Sequence, residues 1–455
     1  MRQLFGTDGI RAVAGEYPLD RRTVFAIGRA LGKRLRNSVA EPRVIIGQDT
    51  RESSVWIAET LARGLHVSGA KFSSAGVITT PGVAYLTRTH GFDAGIVISA
   101  SHNPWMDNGI KLFGSDGMKL ADAIEHAIEK DIFAHLKKLA EDPEHISLSA
   151  EIMPGEQKLR DDYVNWLASQ VELKGLRREA ILADCANGAA SSVAPALFQK
   201  LGIECEFVHV SPDGRNINDK CGALHPHYVG ESIRESQGKF HLGVTYDGDA
   251  DRALFCDHNG RVVNGDAVLL LAARDMKSRN VLRGNKVVAT TMSNMGLEKA
   301  LRESGIEMLR ANVGDKYVLE QMQAHGATLG GEQSGHILFM DGDATTGDGL
   351  LTSLRVLDVM ARTGKHLEEL VADLKMFPQV IHNVRVREKL PMAQMPSVKL
   401  TIETAEKELD GNGRVVVRYS GTEKLARVMI EAESETLMKK HADAIAGALH
   451  AAIGV

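Results

Sequence analysis

Apolar positions along this chain fall into two alternating rhythms. Between residues 21 and 36, Val24, Ile27, Leu31 and Leu35 recur at helical spacing, with Asp20 placed as a cap. Residues 43–47 (RVIIG) form a short unbroken apolar run, the mark of a buried strand, and 54–68 returns to helical spacing. Pro81 suits the first turn of a short helix, and DAGIVISA at 93–100 reads as a strand again. The alternation resumes with AILADCA (180–186), a helix near 190–201 and a strand ending in HLGVTYD (241–247). A third round follows: KVVATTM (286–292), a helix at about 294–304, MLRANV (308–313), a helix at about 315–325, and ATLGG (327–331). Strands alternating with helices predict a largely parallel sheet covered on both faces. No residue-level repeat is visible, so three α/β units in succession is the economical organisation.

Beyond MFPQV (376–380) the rhythm changes to a strand (IHNVRV), a helix near 397–408, two strands and a final helix from about 434. Asn412-Gly413 is a turn signal. Val415 and Val417, then Val428 and Ile430, alternate with polar neighbours as a half-buried antiparallel sheet requires. The expected architecture is three α/β (mixed-sheet) domains, at 1–152, 153–255 and 256–372, and a smaller α+β domain at 373–455, with the segment around Pro378 as linker. The length agrees, because one hydrophobic core stops growing near ~250–300 residues and this chain has 455.

Composition narrows the class. With 44% hydrophobic and 25% charged residues the chain is globular. A formal charge of −5 offers no general attraction for nucleic acid or anionic lipid, so an anionic substrate must be met by local cations. Cys185, Cys205, Cys221 and Cys256 lack CxxC spacing, which argues against a disulfide framework or a thiolate zinc site and for a reducing cytosol. The first residues, MRQLFGTDGIRAVAGE, lack the apolar run of a signal peptide, and no apolar stretch is long enough to span a membrane. A soluble, cytoplasmic, multidomain protein is expected, as a monomer or homodimer.

Ligands in such sheets sit beyond the carboxyl ends of strands, and the unusual segments lie there. Asp247-Gly-Asp249-Ala-Asp251-Arg252 follows a strand directly. Its alternate carboxylates project one way, and hard oxygen ligands suit Mg²⁺. An EF-hand loop needs Gly sixth and Glu twelfth, where this chain has Arg252 and His258. The remaining alternative is a solvated acidic turn. Ser99-Ala-Ser101-His102-Asn103-Pro104 also follows a strand. Ser101 there is either a nucleophile or phosphate carrier, or part of an ordinary turn. A GxSxG hydrolase elbow is absent, since position 99 is Ser and position 103 Asn.

Arg418-Tyr-Ser420-Gly421-Thr422-Glu423, with Arg427 beyond it, combines hydroxyls, a glycine-freed backbone and two arginines, as a phosphate dianion requires. The same letters also make a tolerable turn. Gly330-Gly-Glu332-Gln-Ser334-Gly-His336 either presents Glu332 and Ser334 to vicinal sugar hydroxyls or is a glycine-rich turn with a stray histidine. Gly6-Thr-Asp-Gly-Ile-Arg11 either brings Arg11 to an anion or simply turns. Thr345-Thr-Gly-Asp348-Gly349 reads as the cap of the following helix.

Taken in order, FGTDGIR (5–11), ISASHNPWMDNGIK (98–111), DGDADR (247–252), MSNMG (292–296), VGDKYV (313–318), GGEQSGH (330–336) and RYSGTE (418–423) resemble the α-D-phosphohexomutase superfamily, and within it the bacterial phosphoglucosamine mutases. The resemblance runs end to end. It implies three α/β domains and a fourth around one cleft, with Ser101 as a phosphoserine and Asp247, Asp249 and Asp251 holding Mg²⁺ with the Ser101 phosphoryl oxygen. It implies Glu332 and Ser334 on the sugar, with Arg252 and His336 beside them, and Arg418, Ser420, Gly421, Thr422 and Arg427 on the non-reacting phosphate. Lys111, His102 and Arg11 become candidates for proton handling and charge relief. The reaction implied joins glucosamine 6-phosphate and glucosamine 1-phosphate through a hexose bisphosphate, such as glucosamine 1,6-bisphosphate, and supplies UDP-N-acetylglucosamine synthesis.

The family's glucosamine mutases more often carry RPSGTEP, DGDGDR and CGSTHP. Here Tyr419, Lys424, Ala250 and CGALHP (221–226) stand instead. A broad phosphoglucomutase/phosphomannomutase, a metal-dependent phosphatase using Ser101, and a sugar-phosphate-binding regulator are the competing readings. A dinucleotide enzyme is disfavoured because no GxGxxG opens a helix after the first strand.

Overall fold

A computed structural model describes residues 4–6, 8–141, 156–176, 180–420 and 424–455. The chain divides into two compact units, residues 1–291 with 309–370, and residues 292–308 with 371–455.

The first unit contains three sheets. Strands β1 (Ile10–Val13), β2 (Arg43–Gln48), β3 (Lys71–Val77), β4 (Ala94–Ile98) and β5 (Asp107–Gly114) assemble in the order β1-β5-β4-β2-β3. Strands β6 (Ala180–Asp184), β7 (Cys205–Val208), β8 (Phe240–Tyr246), β9 (Ala253–Cys256) and β10 (Val262–Val263) assemble as β10-β9-β8-β6-β7. Strands β11 (Lys286–Thr290), β12 (Glu307–Ala311), β13 (Leu329–Gly331) and β14 (Ile337–Phe339) follow the order β12-β11-β13-β14. One plan recurs in all three sheets: β4 lies parallel to β2, β8 to β6 and β13 to β11, and a hairpin then sends the next strand (β5, β9 or β14) back antiparallel beside it. The sheets are therefore mixed. Periodicity predicts the parallel members, but it records which faces are buried and not which way a neighbour runs.

Local signals act as expected. Asp20 caps the helix Arg21–Leu35, accepting from the Arg22 and Thr23 amides at 3.0 Å. Its face of Val24, Ile27 and Leu31 is buried against Val44, Ile46, Ile96 and Ile98, with Leu35 partly buried at the edge. The helix Glu52–Val67 crosses it backbone to backbone. A methyl on Gly28 would stand 2.3 Å from the Leu61 carbonyl, so only glycine permits this approach. Pro81 lies in the first turn of the helix Thr80–Thr89. Asp348 caps the helix Gly349–Thr363 through the Leu351 amide at 2.9 Å.

The second unit holds β15 (Gln379–Arg385), β16 (Gly413–Tyr419) and β17 (Leu425–Ala432), ordered β15-β17-β16 and antiparallel throughout, with helices Pro396–Leu409 and Glu435–Ile453. Val415 faces Ile430 and Val417 faces Val428 across the ladder, as their alternation predicts. The turn before β16 falls earlier than Asn412-Gly413. Asp410 (φ 44°) and Gly411 (φ 75°) take the left-handed positions, and Gly413 already belongs to the strand.

The helix Met295–Glu303, which sequence rhythm assigns to the third α/β unit, packs in this second unit instead. The Asn294 side chain accepts from the Phe377 amide at 2.8 Å and donates to its carbonyl at 3.0 Å. Buried Glu431 accepts from the Met295 amide at 3.1 Å. The segment leading to Pro378 is therefore pinned to the start of this helix. Among the described residues, no helix is long and apolar enough to cross a membrane.

Candidate active site

The recurring plan puts three equivalent hairpins side by side. Ser101 lies between β4 and β5, DGDADR between β8 and β9, and GEQSGH between β13 and β14. Backbone contacts lock them together. Gly248 passes so close that a Cβ would meet the Ser101 carbonyl at 2.5 Å. The Ala253 amide donates to the Gly335 carbonyl at 3.1 Å, and the Thr80 amide to the Asp249 carbonyl at 3.0 Å.

Ser101 is buried and left-handed (φ 52°), a conformation that costs a side-chain-bearing residue energy and so must be imposed by its surroundings. Arg51, itself 1% exposed, imposes it. Its guanidinium donates to the carbonyls of Ser101 and Asn103 at 2.9 Å, of Asp107 at 3.0 Å, and of Pro104. Asp49 anchors the guanidinium at 2.8 Å, and Asn218 adds a second donor to the Ser101 carbonyl at 2.9 Å. The Ser101 hydroxyl is thereby aimed at the acid loop. It donates to Asp247 Oδ2 at 2.6 Å, with His102 Nδ1 3.3 Å away.

Asp247, Asp249 and Asp251 are buried, each offering an oxygen within 4.8 Å of the others'. Burial, then the charges of Asp251 and Asp249, push the Asp247 carboxyl well above its usual range. Asp249 Oδ1 and Asp251 Oδ1 are sealed from solvent without a hydrogen-bond donor. Three converging acids with orphaned oxygens fit a hard divalent cation.

Lys111 reaches this triad from β5, 2.8 Å from Asp249, 3.1 Å from Asp8 and 3.6 Å from Asp251. Burial alone would discharge it, but Asp249, Asp8 and Asp251 outweigh that and hold the ammonium well above the usual lysine range. Asp8 also pairs with Arg11 and Lys119, and Lys119 with Asp315. His336 stands 3.5 Å from Asp251 and 3.7 Å from Asp315. Burial disfavours its charge, yet Asp251 and Asp315 raise its pKa. His102 goes the other way. Burial, with Arg252 and Arg11 nearby, lowers it and keeps it neutral.

Beside these groups lies a cavity of about 380 Å³ lined by Asp8, Arg11, His102, Asp251, Arg252, Glu332 and His336 among others. Glu332 is held by the Gly314 amide at 3.0 Å, and Ser334 donates to it at 3.4 Å. Every residue expected at the reacting centre is brought together here: Ser101, His102, Lys111, Arg11, the three aspartates, Arg252, Glu332, Ser334 and His336. Sequence reasoning passed over Arg51, Asp8, Lys119, Asp315, Asn218 and Thr80. Asp8 and Asp315 lie inside motifs already singled out, and a charged Asp49-Thr-Arg51 turn after a buried strand was a legible signal for Arg51.

In the second unit, Arg418 and Arg427 are direct cross-strand partners at one level of the β16–β17 ladder. Ser420 is buried, and Lys389 donates to its carbonyl at 2.6 Å. Gly421 and Thr422 lie outside the described residues. Tyr419 turns into its own domain, its hydroxyl fixed on the Leu390 carbonyl at 2.6 Å.

Four phosphoglucomutase/phosphomannomutase domain models match in succession: α/β/α domain I at 2–138, domain II at 161–260, domain III at 264–377 and the C-terminal domain at 382–448. The chain is 66% identical over its full length to phosphoglucosamine mutase of Koribacter versatilis, covering 98% of that protein, and 50% identical to that of Solibacter usitatus, covering 99%. A solved phosphoglucomutase/phosphomannomutase family protein from Burkholderia thailandensis has the same fold, with TM-score 0.77, 24% identity and 99% of each chain covered. With its three stacked hairpins, their motifs and these relatives in agreement, the chain belongs to the phosphoglucomutase/phosphomannomutase family.

Proposed function

We propose that this enzyme interconverts glucosamine 6-phosphate and glucosamine 1-phosphate, with Ser101 as the phosphoryl carrier. The observation that carries this reading is the Ser101 hydroxyl, buried, strained and 2.6 Å from an acid triad at the edge of a cavity. Asp247, Asp249 and Asp251 are the residues that would hold Mg²⁺. When bound, the ion supplies positive charge against the phosphoryl oxygens. The full-length relatives named phosphoglucosamine mutase support the substrate. In this reading each of the domains 1–152, 153–255, 256–372 and 373–455 brings one loop, and the enzyme acts in the cytoplasm.

Phosphoryl transfer needs positioning and charge neutralisation more than covalent help. Phospho-Ser101 passes its group to the free hydroxyl at C1 or C6, giving a bisphosphorylated sugar. The sugar turns end for end, and Ser101 takes back the other phosphoryl group. Arg51 fixes the carrier's backbone through both halves. Charged Lys111 and Arg11 offset the phosphoryl charge, and neutral His102 is placed to exchange a proton with the departing or arriving hydroxyl. Glu332, Ser334, Arg252 and His336 orient the sugar. Arg418, Ser420, Gly421, Thr422 and Arg427 hold whichever phosphate is not reacting.

Initial rates on glucosamine 6-phosphate, glucose 6-phosphate and mannose 6-phosphate test the substrate, with the glucosamine ester expected to lead. Equal rates would favour a broad hexose mutase, and free phosphate in place of an isomeric ester would favour a phosphatase. Ser101→Ala should lose nearly all turnover while still binding substrate. Turnover near wild type in that variant would sink the mechanism.

A further inference from the structure

A second ligand set stands apart from the aspartate triad. Asp184, His209 and Cys221 offer a carboxylate oxygen, an imidazole nitrogen and a thiol sulfur that all lie within 4.8 Å of one another. They come from three separate places: Asp184 ends β6, His209 follows β7, and Cys221 precedes the helix Pro226–Glu235. The proposed reaction uses none of them. Asp184 and Cys221 are fully buried, whereas the His209 side chain keeps 25% exposure, which leaves a way in.

The main chain orients all three. Asp184 accepts from the Ala186 and Gly222 amides, each at 2.8 Å, and retains a lone pair on each oxygen. His209 is held left-handed (φ 52°), its carbonyl taken by the Asn187 amide at 2.7 Å and its ring packed 4.9 Å from Tyr228. His209 Nδ1 is sealed from solvent and faces Asp184 Oδ1 at 3.1 Å without the alignment of a hydrogen bond. Neighbouring N and O ligands of a tetrahedral zinc ion, at ~2.0–2.1 Å from the metal, stand about 3.3 Å apart, close to that separation. A sulfur, a nitrogen and an oxygen together select a borderline-soft cation over Mg²⁺ or Ca²⁺. This set departs from the sequence expectation against a thiolate zinc site: missing CxxC spacing speaks to paired thiolates, and here there is one.

We propose that Asp184, His209 and Cys221 form a site for Zn²⁺ or a similar divalent transition cation, separate from the catalytic triad and completed by solvent. The Cys221 sulfur bonds the metal as its thiol proton leaves to solvent. The ion braces residues 216–222, and Asn218 in that loop donates to the Ser101 carbonyl at 2.9 Å and through its amide to the Ala186 carbonyl at 2.9 Å. The site is thus tied to the carrier loop without touching substrate.

Chelator-stripped, reduced full-length protein, saturated with Mg²⁺ to occupy the oxygen-only triad, is titrated with Co²⁺. A thiolate-to-cobalt charge-transfer band in the near ultraviolet, saturating at one equivalent and erased by Zn²⁺, is expected. Cys221→Ser should abolish the band and Cys256→Ser leave it, with circular dichroism confirming that both fold. His209→Ala, which keeps the thiol, should weaken Co²⁺ binding by at least the ~10–100-fold seen on losing even an outer partner of a metal ligand. No thiolate band in the wild type, a band surviving Cys221→Ser, or unchanged affinity in His209→Ala would each overturn the site. None of these readouts depends on which sugar the enzyme turns over.

Discussion

At Ala250 the backbone turns left-handed (φ 54°) in the middle of the acid loop, with its methyl fully buried. Such a conformation costs an L-residue roughly 1–2 kcal/mol, while glycine there loses up to ~1 kcal/mol more chain entropy on folding. Ala250→Gly should therefore be neutral to stabilising by about 1 kcal/mol in urea denaturation. A clear loss would show that the methyl's packing outweighs the strain. Arg51 is a sharper case. Replacing it with Met leaves Asp49 buried beside an apolar chain and strips donors from the carbonyls around Ser101. Breaking a buried ion pair this way costs about 3–5 kcal/mol. The expected outcome is a lower denaturation midpoint and, in the fraction that folds, a fall in kcat larger than any change in KM.

Among elements, the helix Gly349–Thr363 depends on a cap with an unusual titration. Burial raises Asp348 to about 6 against the ordinary 3.8, although Tyr163 donates to it at 2.7 Å. The unfolded chain ionises this carboxyl near 4, whereas the folded protein keeps it protonated until about pH 6. Stability from this group is thus full below pH 4 and falls as pH rises toward 6, by roughly 3 kcal/mol at 1.36 kcal/mol per unit. Asp348→Asn keeps a capping oxygen and has no proton to lose. The wild-type minus variant stability difference, from denaturation at pH 4 to 7, should shift in the variant's favour across that window. A flat difference would contradict the buried-cap account. The three hairpins carry the same lesson: each motif is legible as a loop after a strand, but their equivalence emerges only when β5, β9 and β14 fold back antiparallel.

For the whole molecule, the proposed reaction draws on both units. The residues proposed to hold the non-reacting phosphate belong to the second, where Arg418 and Arg427 share one level of the ladder. Arg418→Ala should raise KM about tenfold, the ~1.4 kcal/mol of a charge-assisted contact, with kcat little changed in steady-state kinetics. An equal loss in kcat would place Arg418 in the chemical step instead. The alternating rhythm, the capping of helices at Asp20 and Asp348, the half-buried C-terminal strands and the strand-end position of every motif were determined by sequence alone. Each of these depends on residues within a few positions of one another. Only the tertiary structure decided which strand of each mixed sheet runs antiparallel, the Arg51 clamp, the charged ring of Asp8, Lys119, Asp315 and His336, and the docking of helix Met295–Glu303 beside the C-terminal sheet. Those rest on pairings of residues far apart in the chain, Lys111 with Asp249 and Asn294 with Phe377 among them. Local periodicity records which face of an element is buried, and it carries no trace of what that face will meet.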